Sequence, residues 1–212
     1  SLLHRCSSET LLELSRDKKY LGATPGIIQV LHTWGQTLNF HPHIHCIVSG
    51  GGLSADQKLR KCGEKFFIPV HVMAKVFRGK FLFYLQKHYA FGKLVFLSSC
   101  AELRNSYSWN EFRDSLYKMD WCPYIKETFN GFGNAIEYLG RYTHRIAITN
   151  TRIQSVTETQ VSFSARDYKS GETKTVILEN KEFIRRFLMH VLPSGFQKIR
   201  YYGFLNNRTK TK

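Results

Sequence analysis

The hydrophobic and polar positions along the chain predict a mixture of helices and strands. Spacing of three to four residues between apolar positions predicts helices over residues 1–20, 71–89, 111–119, 134–144 and 181–192. Alternating and β-branched stretches predict strands over residues 27–36, 43–50, 65–69, 94–97, 145–155, 160–168, 173–178 and 197–205. The pattern therefore indicates an α+β fold with a central antiparallel sheet and helices packed on it.

One predicted strand carries histidines at alternate positions, His41, His43 and His45. Because strand side chains alternate between faces, His43 and His45 share one face, and the apolar residues between and after them point to the other. Pro42 marks the entry to the strand, so we expect His41 to lie outside this pair. Neutral imidazole is a common metal ligand, and the spacing predicts a metal site on the histidine face.

The neighbouring predicted strand supplies the candidates for a third ligand. If the turn between the two strands centres near Asn39, Gln36 lies across from His43, and His32 shares the same face. Gln36 is the expected third ligand because it is the nearer of the two, with His32 as the alternative. The choice depends on register, since a slip of one residue turns every side chain to the other face.

The charge of the chain points to a polyanionic partner. The formal net charge is +15, and no acidic residue occurs from Phe66 to Ala101. No apolar run approaches the length of a membrane-spanning helix and no signal peptide is recognisable, so we expect an intracellular, cytoplasmic or nucleoid-associated protein with no membrane partner. Five cysteines without a CxxC pair indicate reduced thiols.

A second informative stretch, residues 134–144, holds two tyrosines four residues apart on a predicted helix. Tyr138 and Tyr142 lie on one face of that helix, as do Arg141 and Arg145. A tyrosine hydroxyl, with a pKa near 10, must be activated before it attacks, and a metal that polarises a phosphoryl oxygen can promote its attack on a phosphodiester. The covalent phosphotyrosine that results preserves the energy of the broken bond for later rejoining.

Taken in order, these motifs resemble the two-tyrosine HUH transposases of rolling-circle insertion sequences. The resemblance runs from about Thr33 to the end of the chain, through the segments WGQTLNFHPHIH, EYLGRYTHR and IRYYGFL. It implies a nuclease in which the tyrosine helix lies across the histidine face of the sheet. It also implies a Mg²⁺ or Mn²⁺ ion held by His43, His45 and a third polar ligand. Tyr138 and Tyr142 would be the nucleophiles, forming 5′-phosphotyrosine links on single-stranded DNA at the transposon ends and the target.

The chain is expected to form a single domain over residues 1–212, with a helical lead-in at 1–25 and a basic tail at 206–212. Members of the family usually carry a cysteine-rich zinc-binding segment before the nuclease, and this sequence has none, which indicates a nuclease portion or a shortened relative. A homo-oligomer is compatible with these features. The expected DNA contacts are basic side chains, namely Lys75, Arg78, Lys80, Arg141, Arg145, Lys198 and Arg200.

Two other functions fit parts of the sequence. The alternating histidines match a histidine-triad nucleotide hydrolase, although small nucleotides do not require so large a positive charge and the paired tyrosines would have no role. A non-catalytic nucleic-acid-binding module would explain the charge, with the histidines serving only the structure.

Overall fold

The computed structural model describes residues 1–63, 68–126, 140, 147–167 and 170–206. In this part of the chain the helices are α1 (Leu2–Arg16), α2 (Val70–Ala90), α3 (Ser106–Lys118) and α4 (Asn180–Leu188), with 3₁₀ helices at Ser98–Arg104 and Asn150–Arg152. The strands are β1 (Thr24–Trp34), β2 (Phe40–Leu53), β3 (Leu59–Lys61), β4 (Ile153–Val156), β5 (Gln160–Arg166), β6 (Thr173–Glu179) and β7 (Ile199–Gly203).

The strands form two sheets, with the orders β3-β2-β1-β7 and β4-β5-β6. In the second sheet β5 pairs antiparallel with β6, from Gln160 opposite Glu179 to Arg166 opposite Thr173. Gly171 has a φ of +75° in the connection between these strands, where the sequence predicts a turn. The predicted α+β fold with antiparallel strands and packed helices is confirmed.

The chain divides into two compact units, one made of residues 1–27, 48–128 and 201–212 and the other of residues 28–47 and 129–200. In the first unit α1 packs against α2. The Lys80 ammonium lies 2.6 Å from the Glu13 carboxylate, and the Tyr84 hydroxyl donates to Glu9 at 2.8 Å. Cys6, three residues before Glu9 on the same face of α1, is fully buried. The polar contacts fix the face of α2 that turns toward α1.

Helix α3 packs on the C-terminal half of α2 in the same unit. The Trp109 ring stacks on Tyr89 with centroids 4.0 Å apart, and its indole N–H donates to Gln86 at 2.6 Å. The helix begins before its predicted start at residue 111, because the Asn105 side chain accepts from the Tyr107 N–H at 2.8 Å and caps the first turn.

The second unit has its own core beneath β5. Val161, Phe163 and Ala165 are buried at alternate positions of this strand, as expected for a sheet with one face covered. Phe163 packs with Leu38 and with partly buried side chains from β6 and α4, including Phe187. This core lies against the turn that joins β1 to β2.

Two glycines allow the strands of the first unit to approach closely. A Cβ on Gly51 would lie 2.7 Å from the Arg60 carbonyl oxygen of β3, and one on Gly52 would lie 2.6 Å from the Thr24 carbonyl oxygen of β1. Neither contact is tolerated by a real side chain, so packing requires glycine at positions 51 and 52.

Several predicted elements need correction. Residues 94–97 form no strand; Val95 is 87% exposed and Leu97 71% exposed, and apolar side chains without a facing layer do not hold a strand in place. Residues 59–61, predicted as loop, pair with β2 as β3. Strand β4 begins only at Ile153, after a 3₁₀ turn, although a strand was predicted from residue 145.

Other predictions fall wholly or mainly on residues outside the described part of the chain. These are the strand at 65–69, the helix at 134–144 and most of the basic tail at 206–212. Among the described helices, none has both the length and the apolar character needed to cross a membrane.

Candidate metal centre

The site is built on the hairpin of β1 and β2. The Gly35 N–H donates to the Asn39 carbonyl at 3.2 Å, and the Leu38 N–H donates to the Gly35 carbonyl at 3.1 Å, which closes a tight turn. Leu38 has a φ of +59°, a left-handed conformation that is strained for a branched side chain. Its side chain is fully buried in the core of the second unit, and this burial offsets the strain.

Three imidazoles meet on one face of the hairpin. His43 Nε2 lies 3.1 Å from His32 Nδ1 and 3.1 Å from His45 Nε2, and one nitrogen from each ring falls within a span of 4.8 Å. An ion that holds nitrogen ligands at about 2.1 Å places adjacent ligand nitrogens roughly 3.0–3.4 Å apart, depending on its geometry. Both 3.1 Å separations fall within this range, so the three rings together could hold a single divalent cation.

A backbone contact sets the tautomer of the central ring. His43 Nδ1 lies 2.8 Å from the His41 carbonyl oxygen, which can only accept, so Nδ1 carries the proton. In the neutral ring this leaves the lone pair of Nε2 directed at the other two imidazoles. Metal-binding histidines commonly use their second nitrogen in this way.

All three rings favour the neutral form that binds metals. Burial lowers the pKa of His32 to about 3, with a smaller effect from the charges of His43 and His45. Burial lowers the pKa of His45 to about 4 and also lowers that of His43. At neutral pH a cation therefore need not displace protons from these ligands.

The structure brings His32 beside His43 and His45 and places Gln36 in the turn. Strand β1 ends at Trp34, so Gln36 lies in the turn rather than on the strand face. Its carbonyl oxygen accepts from the Arg152 guanidinium, and its side-chain oxygen accepts from the Arg166 N–H at 3.4 Å. The alternative, His32, is the side chain that joins His43 and His45 in the cluster.

His41 lies beside the cluster. It is exposed, with its ring centroid 5.0 Å from that of His43, and it contributes the carbonyl that orients His43. The sequence predicts that His41 lies outside the pair formed by His43 and His45. Strand β2 nevertheless begins before it, at Phe40.

Among the described residues, the basic side chains predicted to contact DNA are found in both units. In the second unit the Lys198 ammonium lies 5.0 Å from the Trp34 ring centroid, and burial lowers its pKa. The Arg200 Nε donates to the Gln197 carbonyl at 3.4 Å. In the first unit Lys75 is exposed on α2, next to the engaged side chains Arg78 and Lys80. The other expected site residues lie outside the described residues, namely Tyr138, Tyr142, Arg141 and Arg145.

Side chains distant in sequence hold the hairpin turn, and the sequence does not reveal them. His190 is buried, with Nδ1 3.2 Å from Thr33 Oγ1 and Nε2 3.1 Å from the Leu38 carbonyl. Arg186 of α4 donates to the Thr37 carbonyl at 3.1 Å. These residues lie about 150 positions from their partners, and no local pattern marks them.

Comparison with known families identifies the chain. The family model described as "Putative transposase" (Y2_Tnp) matches residues 26–212. This protein belongs to that transposase family. The match includes His32, His43 and His45 and all of the hairpin except Thr24 and Pro25.

Two curated relatives align along nearly the whole chain. This chain is 44% identical over 209 residues to "Putative transposase y4qJ" of Sinorhizobium fredii, and the alignment covers 98% of this chain and 52% of that protein. It is 26% identical over 212 residues to "Transposase for insertion sequence element IS801" of Pseudomonas savastanoi pv. phaseolicola, covering 97% and 48%. The chain thus spans about half the length of these relatives. No solved structure gives a significant match.

Proposed function

We propose that this chain is an HUH nuclease domain that cuts and rejoins single-stranded DNA during rolling-circle transposition. The observation that carries the proposal is the cluster of His32, His43 and His45 on one hairpin face, in a chain of the transposase family. One relative is named for the transposase of an insertion sequence, which is consistent with this role. An intracellular location close to DNA, and a homo-oligomeric assembly, are part of the proposal.

The donor set suits a phosphodiester substrate. Three neutral imidazoles would leave the full double positive charge of a bound Mg²⁺ or Mn²⁺ available to polarise a phosphoryl oxygen, and imidazole ligation favours Mn²⁺ over Mg²⁺. The Lys198 ammonium, close to Trp34, adds positive charge on the same unit. Together with the net charge of +15, this environment favours a bound polyanion.

Tyr138 and Tyr142 are the proposed nucleophiles. The phenolic oxygen of one tyrosine forms a bond to phosphorus as the bond from phosphorus to the 3′ oxygen breaks. The tyrosine loses its proton, the departing 3′ oxygen gains one, and the 5′ end stays attached to the protein as a phosphotyrosine. A second tyrosine permits a second cleavage before the first link is resolved. Arg141 and Arg145 are proposed to bind the flanking phosphates.

Covalent capture of DNA tests this mechanism. The full chain is incubated with random-sequence single-stranded oligonucleotides and Mn²⁺, and adducts are resolved on a denaturing gel and mapped by mass spectrometry. We expect adducts on Tyr138 or Tyr142, and none in the variant with Tyr138→Phe and Tyr142→Phe. His43→Ala should abolish adducts as well. Tyr201→Phe, at an exposed tyrosine of β7, is the matched control and should behave as the wild-type chain.

Each other outcome has a definite meaning. Adducts that persist in the double phenylalanine variant would refute the assignment of the nucleophiles. Metal-independent turnover of a nucleoside phosphoramidate, without adducts, would favour a histidine-triad hydrolase. Salt-sensitive DNA binding without either activity would favour a non-catalytic module.

A further inference from the structure

Helix α2 carries a stripe of aromatic and basic side chains on its outer face. Phe83, Lys87 and Phe91 follow one another at four-residue spacing, so each lies about one turn beyond the last. Phe83 is 61% exposed and Phe91, at the end of the helix, is 64% exposed. Lys87 is exposed between them. Two large rings and an ammonium group therefore share one accessible face.

The charge around this stripe is positive. The sequence from Phe66 to Ala101 contains no acidic residue, and the Lys93 ammonium lies 5.8 Å from the Phe91 ring centroid. Two acidic side chains reach α2 from α1, and both are already engaged: Glu13 pairs with Lys80, and Glu9 accepts from the Tyr84 hydroxyl. The rings are thus flanked by lysines, and the packing of α1 and α3 leaves them open.

We propose that the Phe83–Lys87–Phe91 stripe is a platform on which unpaired bases of single-stranded DNA stack, while Lys87 and Lys93 contact its phosphates. An unpaired base of any type can stack its π-face on an aromatic ring, whereas a base within a duplex cannot. The lysines bind phosphates and so add affinity that does not depend on the DNA sequence. A rise of 1.5 Å per residue separates the two rings by about 12 Å along the helix, which leaves space for more than one nucleotide. That the bound strand is single-stranded DNA rests on the function proposed above.

Binding to strands with and without bases tests the platform. Fluorescence anisotropy of the full chain is measured in EDTA with an oligo(dT) strand of about twenty nucleotides and with an abasic strand of equal length. The double variant Phe83→Leu with Phe91→Leu keeps the apolar bulk and removes the π-faces. We expect it to weaken oligo(dT) binding by about 25-fold, or fivefold for each ring, and to change abasic binding by less than about twofold.

Matched variants and crosslinking complete the test. Phe83→Tyr with Phe91→Tyr keeps both π-faces and should bind oligo(dT) as the wild-type chain does. Lys87→Met should reduce the slope of log K against log salt by about one. In wild-type chain, photocrosslinking to an iodouridine-substituted strand should label Phe83 or Phe91. Thermal unfolding of each variant checks that the fold is retained.

The platform is overturned by any of three results. The first is unchanged oligo(dT) binding by the leucine variant together with no crosslink to either ring in the wild-type chain. The second is an equal loss of oligo(dT) binding and abasic-strand binding in the leucine variant. The third is that the Phe83–Lys87–Phe91 stripe binds anionic vesicles or a second copy of the chain instead of single-stranded DNA. Because the assay runs in EDTA, it does not depend on strand cleavage. If oligo(dT) binding depends on the rings but no tyrosine adducts form, the nuclease proposal is refuted and the platform proposal stands. If adducts form but binding does not depend on the rings, the platform proposal is refuted and the nuclease proposal stands.

Discussion

Replacing His32 with alanine should weaken metal binding by about a hundredfold, whereas Gln36→Ala should leave it within about twofold of wild type. In the structure His32 Nδ1 lies 3.1 Å from His43 Nε2, while the Gln36 side chain accepts from the Arg166 N–H. Structural zinc sites with four ligands bind with about 10–16 kcal/mol, or roughly 3 kcal/mol per ligand. Loss of one imidazole ligand therefore corresponds to about two orders of magnitude in Kd.

Thermal unfolding with added metal provides the assay. At a metal concentration a hundred times the wild-type Kd, binding adds about 2.7 kcal/mol to the free energy of unfolding. For a chain of this size that raises Tm by roughly 5–11 °C. In His32→Ala the same concentration is close to the weakened Kd, so binding adds only about 0.4 kcal/mol and the shift falls to about 1–2 °C.

The comparison must separate ligand loss from general destabilisation. Each variant is therefore measured with Mn²⁺ and with EDTA, and only the metal-induced shift is compared, because removal of the His32 ring also lowers stability without metal. Calorimetric titration gives the Kd independently. A full metal-induced shift in His32→Ala, or a loss in Gln36→Ala as large as in His32→Ala, would refute the three-histidine site.

Three further substitutions test the surroundings of the site. His190→Phe removes the contacts to Thr33 and Leu38 and should lower the urea-unfolding free energy by about 2–4 kcal/mol, because it leaves a buried carbonyl without its partner; no change would show that the turn does not need it. The pKa of Glu182 is lowered to about 2 by hydrogen bonds from Arg185 and Arg186, so its contribution is present above pH 4.5 and is lost as the pH falls through about 2. Glu182→Gln should therefore lower Tm at pH 7, and a Tm difference that persists at pH 2 would contradict this explanation. Lys198→Met should weaken binding to all single-stranded sequences alike and reduce the salt slope by about one, whereas an effect confined to one sequence would point to base recognition.

Much of the fold follows from local patterns. The alternation of Val161, Phe163 and Ala165 with serines predicts strand β5, and its antiparallel partner follows after a turn at Gly171. The alternate positions of His43 and His45 on β2 likewise predict that both rings share a face. In the structure their Nε2 atoms lie 3.1 Å apart. These features could be predicted because each depends only on residues close together in the chain.

The residue of β1 that lies beside His43 and His45 could not be predicted with the same success, because it depends on where the strand ends. The strand stops at Trp34, and the turn that follows places Leu38 in a left-handed conformation that its side chain would not adopt unaided. That conformation is held by burial against Phe163 and by side chains 150 or so positions away, such as His190. Local sequence carries no trace of these contacts, so the register predicted from a turn near Asn39 favoured Gln36.

The same distant contacts bear on how the site is maintained before an ion arrives. The three half-buried imidazoles are favoured as neutral, and without a cation His43 Nε2 already lies within hydrogen-bond distance of a nitrogen on each of the other two rings. The turn between His32 and His43 is held by Arg152, Arg186 and His190 as well. The conformational entropy of the hairpin is therefore lost when the second unit folds, and a metal that binds later need not order it. A site arranged in this way should keep its nitrogen spacing when the metal is removed.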